Sequence, residues 1–173
     1  MFDMIYKAAL SLKQRSLKLI RSFVVSNDEE ALISLGRLIT NPKECLIGQN
    51  NPDIFEYPEF GGTFSLPNLK FKSGDHTFGW IEGIEVNRNG GVATINHIAT
   101  QNHLVGLGLG RRIAYGIASL LQERYQIKEI HFCETHSTKR DDYHKFFTKK
   151  LDAKHISERF SEKWVWVLPA NAK

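Results

Sequence analysis

The spacing of apolar residues predicts two helices at the start of the chain. In residues 1–24 apolar side chains recur at helical intervals and form one stripe, and most basic residues lie off that stripe. Residues 26–41 predict a second helix, because Glu29 and Glu30 suit the positive end of a helix dipole and Pro42 stops the pattern. We interpret the first helix as an outer helix packed on the domain. The alternative is a basic surface for acidic lipid or an acidic partner.

Residues 43–70 carry a pattern that argues against long regular elements. The stretch "NNPDIFEYPEFGGTFSLPNL" contains three prolines and a Gly-Gly pair. Short strands are predicted near Cys45–Ile47 and Gly62–Leu66. The segment between them is either a loop that faces substrate or a plain surface connection.

Alternating and helical patterns take over from Thr77 onward. The stretch "TFGWIEGIEVNRNGGVATINHIAT" predicts a strand, a turn and a strand, with Asn89–Gly90 supplying the positive φ of a tight hairpin. The remaining elements are a helix over 109–125, a strand "IKEIHFCE", a helix "KRDDYHKFFTKKL" and a strand "KWVWVLP". This order predicts a mixed α/β domain around one sheet.

Composition places the chain among soluble globular proteins. It has 173 residues, 42% of them hydrophobic and 24% charged, which predicts a single domain over residues 1–173. No apolar run approaches the ~20 residues of a membrane span, and basic residues interrupt the N-terminal pattern, so we expect no signal peptide. Cys45 and Cys133 lack metal or redox spacing, which favours free thiols in the cytoplasm. The net charge of +4 suits an anionic cofactor or partner.

The stretch "HLVGLGLGRRIAYGIASLLQERY" is the strongest chemical signal in the chain. Gly106, Gly108 and Gly110 lead directly into a helix, whose first backbone N–H groups and dipole attract anions. Glycine allows phosphate oxygens to approach the backbone, and Arg111 and Arg112 add positive charge. The stretch therefore predicts a diphosphate site. The alternative is a glycine-rich turn that only joins a strand to a helix.

Two common phosphate-binding motifs do not fit this stretch. The string G-x-x-x-x-G-K-[ST] is absent, and the third glycine of G-x-G-x-x-G falls on Arg111 or Ile113. The segment instead resembles the acetyl-CoA-binding motif R/Q-x-x-G-x-G/A of the GCN5-related N-acetyltransferase (GNAT) superfamily. It reads Val105-Gly106-Leu107-Gly108-Leu109-Gly110 here, with Val105 in place of the usual Arg or Gln.

This resemblance implies the GNAT fold, an α/β fold with a mixed central sheet flanked by helices. It covers residues 77–168 best and includes "YHKFFTKKLDA", which looks like the family's A-x-x-F-Y-x-K-x-G-F segment. It implies acetyl-CoA as cosubstrate, no metal, and a gap between two parallel strands where the pantetheine arm binds backbone at "INHIAT". The implied cofactor-binding residues are Ile98, Ala99, Thr100, Val105, Gly106, Leu107, Gly108, Leu109, Gly110 and Arg111.

Acetyl transfer to an amine needs a base for the amine proton and, optionally, an acid for the leaving thiolate. The family's usual acid is a tyrosine, but the matching position is Phe147, which has no proton to give. Tyr143, one helical turn earlier, is the candidate substitute, and packing is the alternative role. The thiolate could also leave unaided, since a thiol has a pKa of ~8.5.

Several residues compete for the role of base. Glu134, at the carboxyl end of a predicted strand, and His97, just before the cofactor-contacting stretch, are the leading candidates. Glu82 and Glu85 could also reach the cofactor-binding cleft. The alternative is that both are ordinary solvated charges on a strand. Cys133 is interpreted as a buried strand cysteine rather than a nucleophile.

These residues predict an acetyl-CoA-dependent N-acetyltransferase with an amine acceptor, either a small molecule or a protein. One alternative is an acyltransferase for a longer acyl-CoA, with "FGWIEGIEV" lining a wider tunnel. The other is a CoA-binding module without turnover. Nucleic acid is expected only as an aminoacyl-tRNA acceptor, because no RNA-binding motif is present. A homodimer remains open, since many members of the family dimerise.

Overall fold

The computed structural model describes residues 41–48, 62–73, 75–102, 105, 108–133, 139–159 and 161–170. The two predicted N-terminal helices lie outside these residues, except for Asn41. Gly106, Leu107 and Glu134 also lie outside them, so their predicted roles stay predictions.

Eight strands and two α-helices make up the described chain. The strands are β1 (Leu46–Gly48), β2 (Thr63–Leu66), β3 (Leu69–Ser73), β4 (His76–Asn87), β5 (Val92–Thr100), β6 (Glu129–Phe132), β7 (Lys154–Glu158) and β8 (Ser161–Val167). The helices are α1 (Leu109–Tyr125) and α2 (Arg140–Lys150), and a short 3-10 helix spans Pro42–Cys45.

The strands form one mixed sheet, in the order β1-β3-β4-β5-β6-β8-β7. The strand β2 pairs with the second half of β4, after the part of β4 that pairs with β3. The pair β5 and β6 is parallel, and the other pairs are antiparallel. The prediction of a mixed α/β fold around one sheet is confirmed.

The sequence pattern does not predict two of the strands, β3 and β7. It predicts two strands after the glycine-rich turn, but β6, β7 and β8 follow that turn. The strand β7 lies at the edge of the sheet and buries none of its five side chains, so its sequence shows no alternation of apolar and polar residues. The strand β3 does alternate between buried and half-buried residues. It is not predicted because it directly follows the proline-rich segment, which argues against regular elements.

The hairpin between β4 and β5 differs from the expected two-residue turn. The expectation that Asn89–Gly90 supplies the positive φ is wrong, because that angle occurs at Gly91, with φ 65°. The turn is longer: the Gly91 amide donates to the Arg88 carbonyl (3.1 Å), and the Gly90 amide donates to the Asn87 side chain (2.9 Å). In longer hairpin loops of this kind, a regular turn comes first and the left-handed residue follows it.

The alternation of buried residues shifts at one point in both β4 and β5. Buried positions in β5 advance by two up to Ile95 and then by three to Ile98. Buried positions in β4, the neighbouring strand, make the same three-residue step between Ile81 and Ile84. Gly83 lies within that step and has φ 62°. The pairing register is unchanged on either side of the step. The far end of β5 therefore presents a different set of residues to the core from the one that strict alternation would give.

The two helices pack in different ways onto an aromatic cluster of the sheet. This cluster contains Phe132 of β6 and Trp164 and Trp166 of β8. Tyr115 of α1 contacts Trp166 with ring centroids 5.1 Å apart, and Phe147 of α2 stacks on Phe132 at 4.4 Å. The helix α1 buries nine residues, whereas Phe147 is the one fully buried residue of α2.

Candidate active site

Within the described residues, a gap in pairing opens between the two parallel strands at the centre of the sheet. The strands β5 and β6 pair only as far as Ile95 and Phe132, and the last link is the Cys133 amide, which donates to the Ile95 carbonyl (2.9 Å). The strand β5 continues to Thr100, still paired with β4 on its other side. Within the described residues, no strand pairs with the β6 side of β5 beyond this point. A strand edge without a partner strand is the kind of surface to which a ligand can bind as an extra strand.

The first turn of α1 provides a second backbone site. Gly108 is the N-cap residue, with φ 76° and ψ 8°, and no side chain caps the helix. The first amides of the helix lack carbonyl acceptors within it, by helix geometry. A Cβ added to Gly108 would meet no atom of the described residues within 4 Å, so they leave space beside this backbone. The first turn holds no acidic residue, and Arg111 is exposed, so the local charge favours an anion.

The structure narrows the predicted set of amide donors. The Val105 amide donates to the Asn102 carbonyl (3.3 Å), and the Val105 side chain is 59% exposed. Leu109 is buried, so only its backbone can face a ligand. The amides left for an anion in this part of the described chain are those of Gly108 to Arg111.

Gly110 joins three elements rather than lining open space. A Cβ at this position would lie 3.2 Å from a ring carbon of Phe146 in α2 and 3.9 Å from the methyl carbon of Thr100. The missing side chain allows α1 to start close against α2 and the end of β5. The gap between the parallel strands and the N-terminus of α1 are therefore adjacent.

The structure brings together two of the three predicted catalytic side chains. The rings of His97 in β5 and Tyr143 in α2 lie edge to face, with centroids 6.0 Å apart. Both side chains are half-buried. The third candidate, Glu134, belongs to a segment that is not described.

Phe147, at the position of the family's tyrosine, is part of the core. Its ring is 1% exposed and lies between Phe132 and Trp164. Tyr143 stacks on Phe147 at 5.7 Å and extends from it toward His97. The tyrosine one turn earlier thus occupies the side of α2 that faces the end of β5.

Register places one further carboxylate beside His97. Glu82 of β4 is the direct cross-strand neighbour of His97, and Glu85 is the neighbour of Thr94. Directly opposed residues have Cβ atoms about 5 Å apart and point to the same side of the sheet. Glu82 is half-buried, whereas Glu85 is exposed. The pattern of the sequence could not separate these two glutamates, because it does not give the register.

Cys133 does not have the properties of a nucleophile. It is half-buried at the end of β6, and burial raises the pKa of its thiol despite the opposing charge of Lys163. A raised pKa keeps the thiol protonated near neutral pH. Cys45 is buried, and both cysteines are free of disulfides.

A polar network at the start of α2 was missed by the sequence analysis. The Arg140 guanidinium binds both carboxylate oxygens of Glu162 in β8, one of them at 2.7 Å, and His155 of β7 lies 2.6 Å from the same carboxylate. Four residues farther along α2, the His144 Nδ1 accepts a hydrogen bond from the Trp164 indole (3.2 Å). The bond to Arg140 is the largest of several effects that together lower the pKa of Glu162. These residues lie far apart in sequence, and no local pattern connects them.

The described residues contain no group of three or more His, Cys, Asp or Glu side chains that could hold a metal ion. None of the helices described is both long enough and apolar enough to cross a membrane.

Comparisons with known proteins give similarities at the level of structure. No protein-family model matches the sequence, and no curated protein matches it. A GNAT-family acetyltransferase of Staphylococcus aureus Mu50 has 10% identity, with 96% of this chain and 92% of that chain covered and a TM-score of 0.45. Tetrahymena GCN5 has 10% identity, with 64% and 71% covered and a TM-score of 0.44. The PaiA N-acetyltransferase of Thermoplasma acidophilum, solved with coenzyme A, has 10% identity, with 94% and 92% covered and a TM-score of 0.42.

The strand order of the chain itself agrees with the fold class that the sequence resemblance implied. The described residues form one mixed sheet, and its parallel pair separates beside the N-terminus of a long helix.

Proposed function

We propose that the chain is an N-acetyltransferase that moves the acetyl group of acetyl-CoA to an amine. The observation that carries this proposal is that, within the described residues, the edge of β5 without a partner strand lies beside the first turn of α1. The edge of β5 would supply a line of backbone groups, and the first turn of α1 would supply an anion site. Together they suit a ligand with a long amide-bearing arm that ends in a diphosphate.

The cofactor would use two parts of the site. The pantetheine amides would pair with the backbone of Ile98, Ala99 and Thr100, as a strand added to the edge of β5. The diphosphate would accept hydrogen bonds from the amides of Gly108 to Arg111, with the helix dipole and the Arg111 guanidinium stabilising its charge. Both contacts remain proposals for this chain.

The reaction needs the amine to lose a proton and the thiolate to gain one. The amine nitrogen attacks the thioester carbonyl carbon, a backbone N–H stabilises the oxygen, and the carbon–sulfur bond breaks. In the proposed mechanism His97 accepts the proton of the amine, and the Tyr143 hydroxyl gives its proton to the thiolate. The 6.0 Å between the two rings supports this assignment, because both side chains can then face one reacting carbon.

The geometry favours a short acyl group over a long one. The apolar side chains of "FGWIEGIEV" that could line a wide tunnel include Phe78, Ile81 and Ile84, and all three are buried in the core. Trp80, which is half-buried, is the aromatic residue of that stretch left near the surface. We therefore propose acetyl-CoA as the donor.

Mass spectrometry of the products tests the proposal. The protein is incubated with acetyl-CoA and a library of amines, and in parallel with longer acyl-CoA thioesters. Acetylated amine is the expected product. Turnover with long thioesters alone would point to the other acyltransferase, and cofactor binding without any product would point to a CoA-binding module.

A further inference from the structure

The helix that carries Tyr143 has one fully buried residue, and its other apolar contacts come from the half-buried rings of Tyr143 and Phe146, which pack against the core. Its stripe of Arg140, Tyr143, His144 and Phe147 follows the i, i+3, i+4, i+7 spacing of one helix face. Phe147 is the one member that is fully buried. It lies in the second half of α2, whereas Tyr143 lies in the first half.

The first half of α2 is also held by the polar network to β7 and β8. Two guanidinium nitrogens of Arg140 bind the Glu162 carboxylate, and the His155 Nε2 lies 2.6 Å from Oε1 of the same carboxylate. His144 is fixed by the Trp164 indole and meets the His155 ring edge to face, with centroids 4.9 Å apart. Single exposed ion pairs contribute little to stability, but a two-pronged Arg–carboxylate pair fixes orientation.

Tyr143 lies between the two anchored residues of this helix. Arg140 is three positions before it and His144 is one position after it, so rotation or tilt of the helix moves the Tyr143 ring with them. The Tyr143 ring meets the ring of His97 in β5, with centroids 6.0 Å apart. Any loss of the anchors would therefore separate the two side chains.

We propose that Glu162 is a positioning residue that holds Tyr143 against His97 by anchoring the start of α2. This proposal rests on the proposed function, in which Tyr143 and His97 handle protons. Glu162 itself touches no reacting atom. It acts through Arg140 and the helix axis.

A pair of matched variants tests the proposal by kinetics. Glu162→Ala removes the anchor, and Glu158→Ala removes a carboxylate from the same hairpin whose hydrogen bond is local, from Ser161 (3.4 Å). Glu162→Ala should lower kcat by roughly 10-fold, since small misplacements of catalytic groups are costly, and leave KM for acetyl-CoA unchanged. Glu158→Ala should change neither constant.

A double-mutant cycle distinguishes positioning from general stability. In a Tyr143→Phe background, Glu162→Ala should lower kcat by less than 2-fold, because the group it positions is already absent. An equal loss in both backgrounds would overturn the proposal. Arg140→Ala breaks the same anchor from the helix side and should reproduce the result. If both anchor variants unfold, the role of Glu162 is structural and the proposal is wrong.

A readout that needs no activity separates this proposal from the proposed function. The nuclear Overhauser effect between the His97 and Tyr143 rings should be present in the wild type and in Glu158→Ala, and weaker in Glu162→Ala. If the wild-type protein transfers no acetyl group but Glu162→Ala weakens this signal, the proposed reaction fails and the positioning role stands. If acetyl transfer is found but Glu162→Ala behaves as Glu158→Ala in rate and signal, the positioning role fails alone.

Discussion

The two helices beside the gap are held by different forces. The helix α1 buries a wide apolar stripe that includes Ile113, Ile117 and Leu121. The helix α2 fully buries only Phe147, and the polar partners of Arg140 and His144 also join it to β7 and β8. The proposed anion site thus lies on a helix held by a wide apolar face, and the proposed proton donor lies on a helix that also relies on directional bonds.

This contrast indicates a division of labour. Apolar packing is insensitive to pH and to single charges, so the α1 site should bind cofactor under many conditions. Directional polar bonds are broken by single substitutions or by protonation, so the α2 side should control turnover. Substitutions in α1 are therefore expected to change the affinity for CoA, and substitutions in α2 are expected to change kcat.

The largest expected effect comes from Gly108→Val at the first turn of α1. A β-branched residue at φ 76° is strained, and its side chain would fill the space left for phosphate oxygens. We expect the affinity for CoA to fall by roughly 100-fold or more, the equivalent of losing several charge-assisted hydrogen bonds. Calorimetry measures the affinity for CoA. Gly108→Ala has the same backbone strain but a smaller side chain, so its affinity should fall less. Unchanged affinity in Gly108→Val would refute the anion site.

Tyr143→Phe should act on the other side of the comparison. Loss of a general acid lowers kcat by roughly 100-fold, while CoA affinity stays the same because α1 is untouched. Steady-state kinetics and calorimetry on the same samples check both halves. Tyr115→Phe in α1, which keeps the ring packed on Trp166, is the matched control. A normal rate in Tyr143→Phe removes this residue from the mechanism.

Phe147→Tyr asks whether the family's tyrosine would work in this chain. The new hydroxyl would enter the aromatic cluster between Phe132 and Trp164, and burying it without a partner should lower the free energy of unfolding by about 1–3 kcal/mol. The rate should not rise. Chemical denaturation gives the stability change, and a faster enzyme would show that position 147 can reach the thiolate after all.

The smallest expected effect is a loss of stability in acid from the network around Glu162. Its pKa is lowered in the folded protein, chiefly by the hydrogen bond from Arg140, so the carboxylate stabilises the fold above its unfolded pKa of about 4.5. This contribution is lost as the pH falls through the lower, folded pKa. Melting curves of the wild type and Glu162→Gln should converge in that range. Curves that stay a constant distance apart would contradict it.

The sequence predicted the bounds of α1 and the strands β4 to β6. It did not predict the edge strand β7 or which side chains of the candidate site meet. The bounds of α1 agree with the expected 109–125 because periodicity, glycines and the end of the apolar stripe all indicate them. The edge strand β7 shows no pattern because it buries no side chain. The contact between His97 and Tyr143 depends on the register of β5 and the axis of α2, which residue order alone does not determine.

The most direct test of the account is a crystal structure of the protein with coenzyme A. We predict that the diphosphate lies against the amides of Gly108 to Arg111 and that the pantetheine arm runs along Ile98 to Thr100. Coenzyme found elsewhere, or these amides bonded to carbonyls of the protein itself, would contradict it.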